Sequence, residues 1–313
     1  MLSLTAALVF LFSVALKGFL AIGNIENLLF NVSLLGILAV GMGVVVIGRG
    51  VDLSQIAIMG TSAALVLSLL NGGTPLPWAL LLSALLALAM GAFNGIMVAF
   101  VEIPALFATL ATGILFFGFG MVFLLDGAVQ YLPAKQQGLA QLAQGTLLGV
   151  PYPALIFIGL MAAVQLWLNR TALGFLVYAQ GDNAEAARLS GAPVRPLTVL
   201  TYMISGAIAC LAGLIFATAS AAIDMRVVQS TMIFDVILVV VLGGISLVGG
   251  RGSMWSVLAG ALLIATLLDG MVILDVNSDV QDVIKGFVLV GAVLLDRALH
   301  RVDEETAKQG DTL

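Results

Sequence analysis

Apolar runs of roughly helix-spanning length alternate with short polar turns along the chain. The runs lie at about 2–22, 32–48, 54–71, 77–100, 104–125, 152–169, 197–219, 231–248, 254–274 and 281–296. A helix needs roughly 20 apolar residues to cross the hydrocarbon layer, so each run reads as a transmembrane helix. Several are shorter than that, which suits helices enclosed in a bundle or broken ones. The pattern predicts an all-α polytopic membrane protein with about ten transmembrane helices, in one domain spanning 1–313.

Composition sharpens this. The chain is 61% hydrophobic and 9% charged, with a mean hydropathy of +1.18. Soluble domains are about 45–50% apolar and about a quarter charged. The opening stretch carries its first cation at Lys17, after the apolar run, and lacks a clean cleavage site, so it reads as a retained first span. Arg49, Arg170, Arg188, Arg195, Arg251, Arg297, Arg301 and Lys308 fall on the side of the termini, whereas the opposite loops carry Lys135 and Arg226. By the positive-inside rule both termini face the cytoplasm, including a tail at 297–313. The net charge of −5 comes without any basic stripe, which argues against a nucleic-acid partner. Cys210 and His300 are each the single residue of their type, which leaves no basis for a disulfide or a His/Cys metal site. No cofactor is expected.

Glycine is frequent at 35 residues, as close backbone packing of membrane helices requires. "GRG" occurs at 48–50 and again at 250–252, each where an outward-going span starts; this is either chance or the trace of an internal repeat. The longest outer loop, 126–151, spaces Leu132, Leu139 and Leu142 as a short amphipathic surface helix would. It is a solvated connector or a docking surface for an external partner.

One polar insert interrupts the second half: "GDNAEAARLSGAPVRP", 181–196. It is patterned as a capped helix. Asp182 is placed as N-cap, with Glu185 three residues on completing a capping box. Gly191 is placed to end the helix in the left-handed region, and Pro193 blocks its continuation. Ala184, Ala187 and Arg188 share one face, and Ala186 and Leu189 another. So short a helix is marginal alone in water, so contacts must hold it, either with its own bundle or with a partner.

Within that insert, "EAARLSG" (Glu185 to Gly191) matches the EAA-x-x-x-G signature of bacterial ABC importer permeases. "GVDLSQIAIMG" (Gly50 to Gly60), "NGIMVAFVEIPALFATLAT" (Asn94 to Thr112) and "VLGGISLVGGRGS" (Val241 to Ser253) resemble, in order, blocks of the ribose, xylose and arabinose permeases, relatives of the branched-chain amino acid permeases. Departures fall at Gln55, Ala105, Ala111 and Asp269, and bear on which sugar is carried. The resemblance implies a type II-like importer architecture whose coupling segment, about 170–196, docks on an ATP-binding cassette subunit through Asp182, Glu185, Ala186, Ala187, Arg188 and Gly191. It also implies a second permease copy, identical or a sister, and a periplasmic sugar-binding protein, assembled at the bacterial inner membrane.

The residues agree with a passive conduit. No P-loop or catalytic constellation is present, so this chain is expected to be no enzyme, with hydrolysis on a separate subunit. Asp126, Asp235, Asp269 and Asp282 are expected near the outer edge, Glu102 and Asp296 near the inner. Asp52 is expected to cap a helix together with Gln55. Mid-depth groups are then neutral: Asn94, Thr109, Thr112 and Ser205. This suits a neutral polyhydroxyl solute. Asn94, Thr109, Thr112 and Phe116 are the candidate pathway residues, with Phe107, Phe117 and Phe119 as further gate candidates. The alternatives are another small polar solute, such as a furanose-like signal or a branched-chain amino acid, or a secondary transporter acting alone.

Overall fold

The computed structural model describes residues 1–125 and 129–299, with the backbone alone at Gln137 and 295–299. Asp126, His300, Arg301, Lys308 and the rest of the expected tail lie outside the described residues, as do the side chains of Asp296 and Arg297.

Every expected run is helical. In chain order the helices are α1 (Leu2–Ala15), α2 (Ile22–Ile47), α3 (Gln55–Asn71), α4 (Leu76–Ala99), α5 (Ala105–Phe119), the short α6 (Gln141–Gln144), α7 (Tyr152–Arg170), α8 (Ala172–Asp182), α9 (Ala184–Leu189), α10 (Val194–Ala219), α11 (Met232–Gly243), α12 (Met254–Ile273) and α13 (Ser278–Leu299). Among the described residues six helices are long and apolar enough to cross a membrane: α2, α4, α5 with its π-helical continuation, α7, α10 and α12. The helices α1, α3 and α11 are apolar but shorter. The chain is thus an all-α polytopic membrane protein, with fewer self-sufficient spans than the sequence suggested.

Two boundaries moved most. The first run ends as helix at Ala15, and Gly18, at φ +89°, turns the chain. The polar stretch after it, expected as a loop, instead opens α2 at Ile22. Asn24 is accommodated there by donating to Phe19 O and to the Asp269 carboxylate at 2.8 Å.

The helix α2 is the centre of the bundle. It is buried continuously from Val32 to Ile47 and packs against α7, α10, α11 and α12. The tightest helix pair is α4 with α10. A Cβ on Gly91 of α4 would fall onto Tyr202 O, one on Gly95 onto Val199, and one on Gly206 of α10 onto Ala87 O. This is a small-residue interface in which the backbones themselves touch.

The ends of the bundle differ. One end carries the turns 48–54, 100–104 and 244–253 and the segment 183–193 that holds α9. The other carries two small antiparallel pairs, β1 (Val129–Tyr131) with β4 (Ala222–Asp224) and β2 (Thr146–Leu147) with β3 (Val150–Pro151). The amphipathic surface helix expected in 126–151 is a 3₁₀ turn (Ala134–Ala140) running into α6. Its leucines face the bundle: Leu132, Leu139 and Leu142 are half-buried against the core. Nearby, Arg226 hydrogen-bonds Asp224 and holds its carboxyl below the usual carboxylate range.

Candidate functional site

Two sites follow from the predicted residues: the polar insert, and the turn between α2 and α3.

At the insert, α8 runs to Asp182, and the residue that breaks it and caps the next helix is Asn183. Its Oδ1 accepts from the Ala186 N–H at 2.9 Å. The expected cap at Asp182 is therefore displaced by one residue, because Asn183 is an equally good capping type and Asp182 completes α8. The capping box does not form. Glu185 pairs instead with Arg188 one turn on, at 2.9 Å and well exposed. Gly191 is at φ +87°, as predicted, and directs its N–H to Arg188 O while Ala192 N–H reaches Ala187 O. A side chain in that region costs about 1 kcal/mol or more.

The faces also sort differently from the expectation. Ala187 is 7% exposed and turned toward its own bundle. The outward surface of α9 is Glu185, Ala186, Arg188 and Leu189, and Leu189 is 80% exposed. Beside α9 opens a cleft of about 520 Å³ lined by Val98, Glu102, Glu185, Arg188 and Arg195. Arg195 bridges to Glu102 at 2.6 Å and lies over the Phe100 ring. Leu189 is the large apolar side chain on this outward surface, set beside the exposed Glu185–Arg188 pair.

The second site is fully buried. Asp52 does not cap α3: its Oδ1 accepts from Ser54 N–H and Oγ–H, and its Oδ2 from Ser205 Oγ–H at 2.8 Å. Asn94 donates to Ser54 Oγ at 2.6 Å. Gln55 donates to Leu38 O at 2.9 Å and to Ser205 Oγ. Thr109 accepts from the Leu53 N–H and donates to Ala105 O, while Tyr202 Oη–H reaches Val51 O. Asp52, Ser54, Gln55, Asn94, Thr109, Tyr202 and Ser205 have no exposed surface. The network therefore ties the 51–55 turn to α4, α5 and α10 at once.

Of the four pathway candidates, Asn94 and Thr109 meet at this turn. Thr112 donates to Thr109 O one turn along α5, and Phe116 packs edge-on against Phe93. All four are buried. The surface that α5 presents outward is Leu106, Phe107, Leu110, Ile114 and Leu115. A largely apolar cleft of about 410 Å³ runs between α3, α5 and α11, with Ile56, Leu110, Ile114 and Phe117 on its walls and Gln229 and Ser230 at one end.

Nor are the buried groups all neutral. Lys285 of α13 is 8% exposed and pairs with Asp235 of α11 at 3.2 Å and with Asp282 at 2.8 Å; Thr231 accepts from its ammonium. Asp269 is buried with Asn24. Asp282 and Lys285 are one turn apart on α13, but Asp235 with Lys285 and Asn24 with Asp269 are far apart along the chain, and no local spacing announces them.

Known proteins resemble this chain along most of its length. A family model described as "Branched-chain amino acid transport system / permease component" matches residues 24–293. The chain is 36% identical over 292 residues to the ribose import permease protein RbsC of Bacillus subtilis, covering 93% of this chain and 89% of that one. It is 33% identical over 302 residues to the autoinducer 2 import system permease protein LsrC of Escherichia coli O157:H7, covering 95% and 87%. The ribose import permease protein RbsC of Haemophilus influenzae is 32% identical over 283 residues, covering 90% and 87%. No solved structure matches.

Proposed function

We propose, from the premise that this chain belongs to the family of branched-chain amino acid transport permease components, that it is the membrane subunit of an ATP-driven importer for a ribose-like monosaccharide. The relatives named for ribose and autoinducer 2 import support the solute class. The observation that carries the ATP-driven part is α9: a six-residue helix, closed by Gly191, standing at one end of the bundle with Leu189 exposed between Glu185 and Arg188.

In this reading the whole chain is one permease domain in the inner membrane. The helices α1, α3, α11 and α13 cross together with the six longer ones, and both termini and α9 face the cytoplasm. The outward face of α9 docks on an ATP-binding cassette subunit, with Asn183 and Gly191 fixing its direction and Ala187 seating it. A second permease copy, identical or a sister, and a periplasmic binding protein complete the assembly. The route follows the outward face of α5 and the cleft beside α3. Asn94, Thr109, Thr112 and Phe116 form the wall behind it. These four residues are themselves neutral, and the driving force is assigned to ATP through α9.

The test is uptake of ribose into proteoliposomes holding the permease, the ATP-binding subunit and its binding protein. Uptake requires ATP and persists when the proton gradient is collapsed with ATP maintained. Uptake that follows the pH gradient and ignores ATP would sink this reading.

A further inference from the structure

The helices α8 and α9 are joined by one residue, Asn183, so α9 cannot move without carrying the end of α8. That end is not free. Gln180 donates to Gly48 O at 3.2 Å and to Thr198 Oγ at 2.9 Å. A Cβ on Gly181 would fall onto Ile47 O and the Gly250 amide. Gly250 N–H itself donates to Ile47 O at 2.9 Å. A Cβ on Gly249 would lie 2.9 Å from Gly181 O. Three backbone segments, 47–50, 180–182 and 249–250, therefore cross in van der Waals contact. Both "GRG" triplets meet there.

Each crossing segment leads to the start of a helix. The 47–50 segment continues into the turn held by Asp52, Asn94, Thr109 and Ser205, and then into α3. The 249–250 segment continues into the turn before α12. There Tyr178 of α8 donates to Gly252 O at 2.8 Å, and Gln165 of α7 accepts from Met254 N–H at 2.6 Å. Thus α8 grips both turns, through Tyr178, Gln180 and Gly181, within a single stretch directly before α9.

Backbones in contact transmit displacement, because close-packed interiors do not compress. We infer that Tyr178, Gln180 and Gly181 are positioning residues for transport: they carry motion of α9 to the starts of α3 and α12, and so to the cleft between α3, α5 and α11. This rests on the reading of α9 as the docking element. None of the three lies on the outward face of α9, so docking and transmission separate experimentally.

The experiment uses the full-length permease with its ATP-binding subunit in proteoliposomes, with Cys210 replaced by Ala. Spin labels at Leu110→Cys on α5 and Phe234→Cys on α11 span the cleft, which both residues line. Their distance is measured without nucleotide and in the ATP–vanadate state. The unaltered chain changes width by about 2 Å or more, the scale of helix shifts in switching transitions. The double variant Tyr178→Phe/Gln180→Leu keeps the nucleotide-free distance and copurifies the ATP-binding subunit, but loses the nucleotide response; Gly181→Ala, whose Cβ would push Ile47 and Gly250 apart, shifts the nucleotide-free distance itself. The double variant adds no volume at the crossing, so it carries the test if Gly181→Ala fails to fold. A full nucleotide response in the double variant overturns the inference, as does a cleft of constant width in the unaltered chain. Loss of copurification in the double variant also overturns it, because transmission would then not be separable from docking. Loss of copurification on altering the outward face of α9 is a different result, and it bears on the docking reading alone.

Discussion

Asp52 is a carboxyl with only neutral partners around it: Ser54, Ser205 and Asn94. Its role is then geometric, and an amide can reproduce it. Asp52→Asn should leave folded yield and uptake within about twofold, since hydroxyl partners can rotate to donate or accept. Asp52→Leu strands those partners in a dry site, at about 1–3 kcal/mol for each unsatisfied group. Thermal unfolding in detergent separates the two, and equal loss in both would mean that the charge itself is needed. Ala187→Trp belongs at this scale as well. Because Ala187 is turned inward, the larger side chain should expel α9 from its seat, costing about 1–3 kcal/mol as overpacking does. Faster proteolysis at 183–193, with the rest of the bundle unaffected, is the readout. How far the sequence could be read depends on range. Gly191 was legible because a left-handed turn after a helix has a local signature. The cap was off by one because Asp182 and Asn183 are both good caps, and only the length of α8 decides. The inward turn of Ala187 was invisible, because the face of so short a helix is set by what lies beneath it.

At the scale of elements, α13 is held to α11 by the Lys285 cluster, in which one ammonium faces two carboxylates. Removing one partner of a buried pair costs about 3–5 kcal/mol, whereas replacing the pair by apolar groups is often neutral. Lys285→Met should therefore lower the melting temperature sharply, and Lys285→Met/Asp235→Leu should recover most of the loss. A double variant as unstable as the single would show that the pair does not hold the helices together. The apolar runs fixed which segments are helices, since each run has one low-energy solution in a bilayer. They did not fix the helix ends. The start of α2 at Ile22 depends on Asn24 reaching Asp269, a contact no local pattern announces.

At the scale of the molecule, the asymmetry of arginines agrees with the two ends of the fold. Arg49, Arg188, Arg195 and Arg251 gather at the end that bears α9, and Lys135 and Arg226 at the end that bears the strand pairs. In intact spheroplasts, a cysteine at Lys135 should react with an impermeant thiol reagent, and one at Leu189 only after permeabilisation. Both positions are exposed, so accessibility reports the side of the membrane rather than burial. The reverse pattern would invert the whole arrangement.

The contact between α4 and α10 bears on the order in which the chain is made. The backbone of α4 at Gly91 and Gly95 meets Tyr202, Met203 and Val199 of α10, and Ser205 of α10 completes the partners of Asp52. While α10 is still in the ribosome, the first half of the protein waits in lipid with that groove open and that carboxyl incompletely paired. Each half is therefore an unfinished object rather than an independent unit. A chain cut within 126–151 and expressed as two pieces should give transport when both are made together. The first piece alone should be cleared by membrane proteases, and its half-life in pulse-chase should lengthen several-fold when the second is supplied. A first piece just as long-lived on its own would mean that α4 needs no later partner to survive.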